Sequence, residues 1–255
     1  MRAFLWAYRW KENLILLSIF QSLSISSAAE IKQVQPISTE KEVQRMNHAI
    51  KQKHQAMIPI AAFSAVGNQP KLAQALRQGL DQGLTINQIK SLLVQSYAYA
   101  GFPRSLNALA TFMQVLEQRK AQGIHDIDGA ASTPLAQDYQ ALVQGTQNQS
   151  QLAGQSVQGP LFEFSPEIDE YLKAHLFGDI FSKDVLNWEE REIATVSMLA
   201  AMDGVESQLR SHLILAQKQG ISMRQLQAVG LILSELVSVE AGQRLEAELP
   251  QLSAQ

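Results

Sequence analysis

Two stretches of this 255-residue chain share helix stops and apolar positions in one register, 137 residues apart. Gly67, Leu72, Leu76, Gln82, Gly83 and Gln88 are answered by Gly204, Leu209, Leu213, Gln219, Gly220 and Gln225. A capping box recurs at the same step, with Thr85 and Gln88 matched by Ser222 and Gln225. Agreement in both breaks and apolar stripe points to an internal duplication of one helical unit. Within the first copy, Met57, Ile58, Ala61, Ala62, Ala65 and Val66 recur at helical spacing. Gly67-Asn-Gln-Pro70 breaks that helix, and Pro70 suits the first turn of the next, which runs through Leu72, Ala75, Leu76 and Leu80. Gly83 stops it. Thr85 opens a third helix through Ile89, Leu92, Leu93 and Tyr97; Gly101-Phe-Pro103 ends it, and a fourth runs from about Arg104 to Lys120. The reading is all-α: two tandem helical repeats in one compact bundle.

The repeats occupy residues 43–121 and 161–250, with a tail at 251–255. Residues 122–160 between them are rich in Gln, Gly, Ser and Ala and read as a surface linker, with a short helical stretch near Leu135–Val143. Ser165-Pro-Glu167 supplies an N-cap, a first-turn proline and an acidic residue for a helix through His175. Asn187-Trp-Glu-Glu190 is a further capping box, opening the apolar helix Ile193–Met202. Ahead of the repeats, Arg2, Arg9 and Lys11 precede the apolar run Leu14–Phe20, and Ser26-Ser-Ala-Ala29 follows. That order predicts a secretory signal peptide over residues 1–29, then a polar segment at 30–42. The apolar run falls short of the roughly 20 residues a membrane span needs, so no stable membrane insertion is expected after cleavage. An uncleaved anchor is the alternative. Cleavage takes the formal charge from −3 to −5, and the expected location is the periplasm.

Composition removes whole classes of function. The chain has no cysteine, which excludes disulfide frameworks, thiolate zinc sites and thiol nucleophiles. Its mild acidity argues against nucleic acid as a partner, since phosphate binding needs clustered positive charge.

The segment Tyr97-Ala-Tyr-Ala-Gly-Phe-Pro-Arg-Ser-Leu-Asn107 resembles the YAGxP stretch of the carboxymuconolactone decarboxylase family. A second signature of that family resembles His175-Leu-Phe-Gly-Asp-Ile-Phe-Ser182, followed by Arg191-Glu-Ile193 and then Leu209-Arg-Ser-His212. The likeness covers roughly residues 43–249 in two copies. It implies the helical fold shared with the alkylhydroperoxidase D group and assembly as homotrimers or hexamers. The family's peroxidase branch uses CxxC with a histidine four residues on, whereas here Gln208 stands four residues before His212. No residue of this chain replaces the thiolate, so peroxide reduction is excluded. The decarboxylase branch needs neither thiol nor cofactor nor metal.

Decarboxylation of a carboxylated lactone leaves an enolate that must be stabilised and protonated on carbon. His212 is the natural proton carrier, and Glu192 would orient or share its proton. Glu192 lies about 18 Å along its helix from the turn at Gly204 and His212 about 12 Å, so spacing alone leaves their contact open. Arg191 is a candidate clamp for a substrate carboxylate. Repeat one has Ala75 in place of His212 and Gln55 in place of Glu192, while repeat two lacks the YAGFP segment. One composite pocket per chain follows, joining His212 to Tyr97, Tyr99 and Phe102, with Arg104 as a second anion clamp. Structural roles compete: Glu192 as a first-turn carboxylate, Arg191 as a solvated cation, Tyr97 and Phe102 as core aromatics, Arg104 as a helix cap. Glu235 is a candidate acid if buried. His175 and Asp179 are expected to share a structural hydrogen bond, and His48, His54 and His125 show no partner pattern. The expected activity is cofactor-free decarboxylation of a small carboxylated lactone. The alternatives are a periplasmic binding or assembly protein on the same scaffold, or a non-thiol oxidoreductase accessory.

Overall fold

A computed structural model describes residues 49–252. The expected signal peptide, the polar segment at 30–42, the start of the first repeat and His48 lie outside the described residues. All the regular elements of the described chain are helices, with no strand among the described residues, as the sequence predicts.

The first-half helices are α1 (Gln52–Val66), α2 (Gln69–Asp81), α3 (Ile86–Gln95), the single turn α4 (Tyr97–Ala100) and α5 (Phe102–Ala121). Then come α6 (Ala141–Ala153), α7 (Pro160–Phe164) and α8 (Pro166–Tyr171), which runs on into a π-helix, Leu172–Ile180. The last four are α9 (Trp188–Ala201), α10 (Glu206–Lys218), α11 (Met223–Leu236) and α12 (Val239–Leu252). Helices α2, α3 and α5 start 137 residues before α10, α11 and α12. Both expected capping boxes of this register close, with Thr85 and Ser222 each accepting from a backbone N–H three residues on and Gln88 and Gln225 reaching back. The box at Asn187 and Glu190 does so too. Gly83 and Gly220 sit just past α2 and α10 at φ of 89° and 90°, a conformation that costs a side chain energy and glycine nothing. Replacing Thr85 or Ser222 by alanine is expected to cost about 1 kcal/mol each in urea unfolding, because each strands a helix-end N–H.

Helices α1 and α9 form the centre and are buried along most of their length. Each serves two cores. Met57, Ile60, Ala61 and Phe63 of α1 pack with Leu72, Leu76, Leu92, Leu93 and Phe112, and Ala194 and Met198 of α9 join them. Ile193, Val196 and Leu199 of α9 pack with Leu209, Leu213, Leu226, Val229, Leu233 and Leu245, and Ile58 and Ala62 of α1 join those. The central pair thus ties the halves together by burying apolar area from both, at roughly 25 cal/mol per Å².

The structure corrects the reading of residues 122–160. The helix in this stretch is Ala141–Ala153, not Leu135–Val143, and it belongs to the body rather than to a surface linker. It packs against the π-helix over a third core of Leu152, Leu176, Phe177, Ile180 and Phe181. The polar run before it is also tied down, since Ile127 and Asp128 carbonyls accept from Ile86 and Asn87 N–H at the start of α3, 2.9 Å each. Apolar periodicity missed α6 because its inner face is amide: buried Asn148 donates to Phe177 O at 2.7 Å and Ser182 Oγ at 2.9 Å. The helix expected through Tyr97 also breaks, at Ser96, whose hydroxyl turns back to Leu93 O at 2.7 Å. None of the described helices is long and apolar enough to cross a membrane.

Candidate functional site

Helix α9 opens at the Asn187 box, and this start sets Arg191 and Glu192 one turn inside a helix that is buried from Glu190 onward. Both side chains are fully buried, at 0% exposure. The turn after α9 sends α10 back so that His212 meets Glu192: Nδ1 lies 2.8 Å from Oε2. The edge of the Tyr99 ring, carried by α4 from the other half, stands against the imidazole at 5.5 Å between centroids. His212 keeps 11% side-chain exposure, and its Nε2 makes no hydrogen bond among the described residues. The expected contact between Glu192 and His212 is therefore made, and Tyr99 closes over it.

Three polar atoms around this dyad are buried without a hydrogen-bond partner among the described residues: Tyr99 Oη, Arg191 Nε and Glu192 Oε1. Part of the Tyr99 residue reaches the surface, but its hydroxyl does not. Burial pushes the Tyr99 phenol well above its ordinary range, and the Glu192 carboxylate adds to the rise against Thr195 and Arg191. Arg191 is brought down to about 10 by desolvation, with Tyr99 and Glu190 opposing, so it stays charged at neutral pH. No carboxylate among the described residues pairs with it. Nη1 donates to Gln95 Oε1 at 2.9 Å, Nη2 to Lys183 O at 2.7 Å, and its carbon sits 5.5 Å from the Phe181 ring centre. Gln95 in turn donates to Arg191 O at 3.1 Å and Thr195 Oγ1 at 2.9 Å.

An open cleft of about 280 Å³ is lined by Ser91, Val94, Tyr97, Phe102, His175, Asp179, Ile180, Lys183 and Arg191. It continues past Tyr97, Phe102 and His175 into a second hollow of about 300 Å³ bounded by Ile168, Tyr171, Leu172 and Leu176. Tyr97 and Phe102 stack at 4.4 Å and 11°.

No family model matches this chain, and no curated protein matches it. The reading of the site rests on its own geometry.

Of the candidate residues, Arg191, Tyr97 and Phe102 share the cleft, while Glu192 and His212 form the dyad, with the Tyr99 ring against His212. His212 and Glu192 do not line the cleft itself. The core-aromatic alternative fails for Phe102, which is 61% exposed. Arg104 does not join either group: its guanidinium donates to Ala65 O at the end of α1, the helix-capping alternative. Glu235 is exposed, so the condition for a buried acid is not met. His54 is buried and faces Glu189 and Glu190, and desolvation lowers its pKa, a setting its sequence neighbours do not reveal. Gln95 was missed altogether, although a glutamine on the Ile89–Leu92 face of an apolar helix is the signal of a buried amide with a specific partner. Among the described residues, no three His, Asp or Glu side chains gather as metal ligands would.

Proposed function

We propose that this protein is a cofactor-free decarboxylase of the carboxymuconolactone decarboxylase kind, acting on a small carboxylated, lactone-type molecule. The observation that carries this reading is the 2.8 Å contact of His212 Nδ1 with the fully buried Glu192. With Glu192 ionised, Oε2 accepts from Nδ1–H, which leaves Nε2 as the atom that exchanges protons. In the reaction the bond from ring carbon to carboxylate breaks, carbon dioxide leaves, and the electron pair passes into the lactone carbonyl. His212 returns one proton to carbon and regains one from solvent. Arg191, charged, fully buried and held by Gln95 and Lys183 O, lends its positive field to the substrate carboxylate, and Tyr97 and Phe102 form the wall against its ring. Export to the periplasm and assembly as homotrimers or hexamers belong to the same proposal. Exposed Leu106 and Met113 on α5 offer apolar surface for assembly.

The same scaffold acting as a binding or assembly protein is the second reading, favoured by the absence of His212 from the cleft lining. Lactone absorbance followed with the wild-type protein and His212→Ala separates the two. The decarboxylase reading expects turnover that falls by about 100-fold or more in the variant. Flat traces from both proteins give the binding reading.

A further inference from the structure

We propose that His175 with Asp179 is a second acid–base pair, separate from His212 with Glu192 and facing the cleft's occupant directly, and that this occupant is a small planar ring bearing a carboxylate. The inference rests on reading the cleft as the substrate site, as above, but not on any particular reaction there.

Place is the first argument. The π-helix sets His175 and Asp179 side by side, with Nδ1 2.6 Å from Oδ2. Both line the cleft, as do Arg191 and Lys183, whereas His212 and Glu192 do not. Stretches of π-helix in otherwise α-helical chains are frequently found at functional sites. Asp179 also lies close enough to Tyr97 to add to the rise that burial causes in its phenol pKa, so the pair faces the aromatic wall as well as the cations.

Charge is the second. Lys183 and Arg191 have no carboxylate partner among the described residues, and the one carboxylate in the lining, Asp179, is engaged by His175. With His175 neutral, Lys183 and Arg191 against Asp179 leave the lining a net charge of about +1, a field that favours an anion. Shape is the third. The Tyr97–Phe102 stack leaves Phe102 61% exposed, and His175 stands edge-on to Tyr97 at 5.6 Å. A flat ring extends such a stack at the usual aromatic spacing, and about 280 Å³ holds a single-ring acid.

The chemistry is a proton transfer. Asp179 holds Nδ1–H, so Nε2 of neutral His175 accepts a proton from an acidic O–H or C–H of the ligand. Asp179 then steadies the imidazolium, Arg191 and Lys183 steady the ligand anion, and the proton leaves to solvent.

Benzoate is the probe, with histidine ring resonances of the full chain as the readout. Benzoate is expected to shift the His175 signals saturably and leave those of His212 in place, and benzamide, which lacks the charge, is expected to bind more weakly. Phe102→Ala and Lys183→Ala, both changes at accessible positions, are expected to weaken benzoate about fivefold each. Asp179→Asn is expected to change the ¹⁵N pattern that reports the His175 tautomer. A His175 signal unmoved by benzoate, a shift confined to His212, or benzamide binding as tightly as benzoate overturns the proposal. Benzoate bound at His175 with no lactone turnover in any variant removes the decarboxylase reading alone. Turnover that depends on His212 while His175 ignores benzoate removes this one alone.

Discussion

Replacing His212 by alanine is expected to lower the free energy of unfolding by about 3–5 kcal/mol, far more than the loss of one partly packed ring. The reason lies in what remains behind. Glu192 is 0% exposed, its Oε1 has no partner among the described residues, and the imidazole is the single group holding Oε2. Without the ring a carboxylate sits in the interior with no hydrogen bond to either oxygen among the described residues, and desolvation of an unpaired ion is the costly side of any buried pair. Exchange of both members for apolar groups of similar volume behaves differently. The double variant Glu192→Leu with His212→Leu is expected to unfold within about 1 kcal/mol of the wild-type protein, or above it. A double-mutant cycle by urea unfolding therefore gives a large coupling energy between positions that lie 20 residues apart in sequence. Single-variant losses under 1 kcal/mol mean that the carboxylate is hydrated and the dyad is not the closed unit described above.

Local signals made most of the helices legible. Thr85, Asn187 and Ser222 with their Gln or Glu partners fix helix starts by bonds made within four residues, so the sequence contains everything needed to place them. The meeting of the two halves at His212 and Tyr99 agrees with the sequence, where Ala75 and Gln55 stand in place of His212 and Glu192 in the first half. The single pocket expected to join His212 to Tyr97 and Phe102 is not formed, since His212 does not line their cleft. What helical rise cannot supply is the course of the turn at residues 202–205. It is this turn that brings together two side chains whose distances along their helices differ by about 6 Å. Arg104 illustrates another limit. A surface arginine after a proline is equally suited to an anion or to a helix end, and the nearby end of α1 decides the matter. The cleft depends on the least legible element. Nothing local in Leu172–Ile180 marks a π-helix, and its partner α6 hides behind glutamine and asparagine. Both take shape by packing on each other, so neither half of the contact carries the pattern alone.

That packing gives the second large expectation: Gly145→Ala is expected to destabilise the protein by about 3 kcal/mol or more, although alanine is the better helix former. A methyl carbon at position 145 would stand 1.8 Å from Lys173 O and 2.7 Å from Gly178 N, both backbone atoms of the π-helix that no side-chain rotation moves aside. Gly178 makes the reciprocal approach, where the added carbon would meet Ala141 O at 2.4 Å. The helices must therefore separate, and with them go the Asn148 bond to Phe177 O and the core around Leu152. At this chain length the loss corresponds to a Tm lower by roughly 6–12 °C. Gly230→Ala is the matching control, since its methyl would meet Leu245 Cδ2 at an ordinary 3.4 Å, and it is expected to leave Tm unchanged or raise it. The distinction reaches the site. His175 and Asp179 ride on the displaced helix, so Gly145→Ala is expected to abolish the benzoate shift at His175 under conditions where the chain is still folded. The contact of Glu192 with His212, held between α9 and α10, has no part in that interface and is expected to keep its ring resonances in place. If instead Gly145→Ala matches the wild-type Tm, the two backbones do not approach as described, and the wall that carries the cleft's acid–base pair must lie elsewhere.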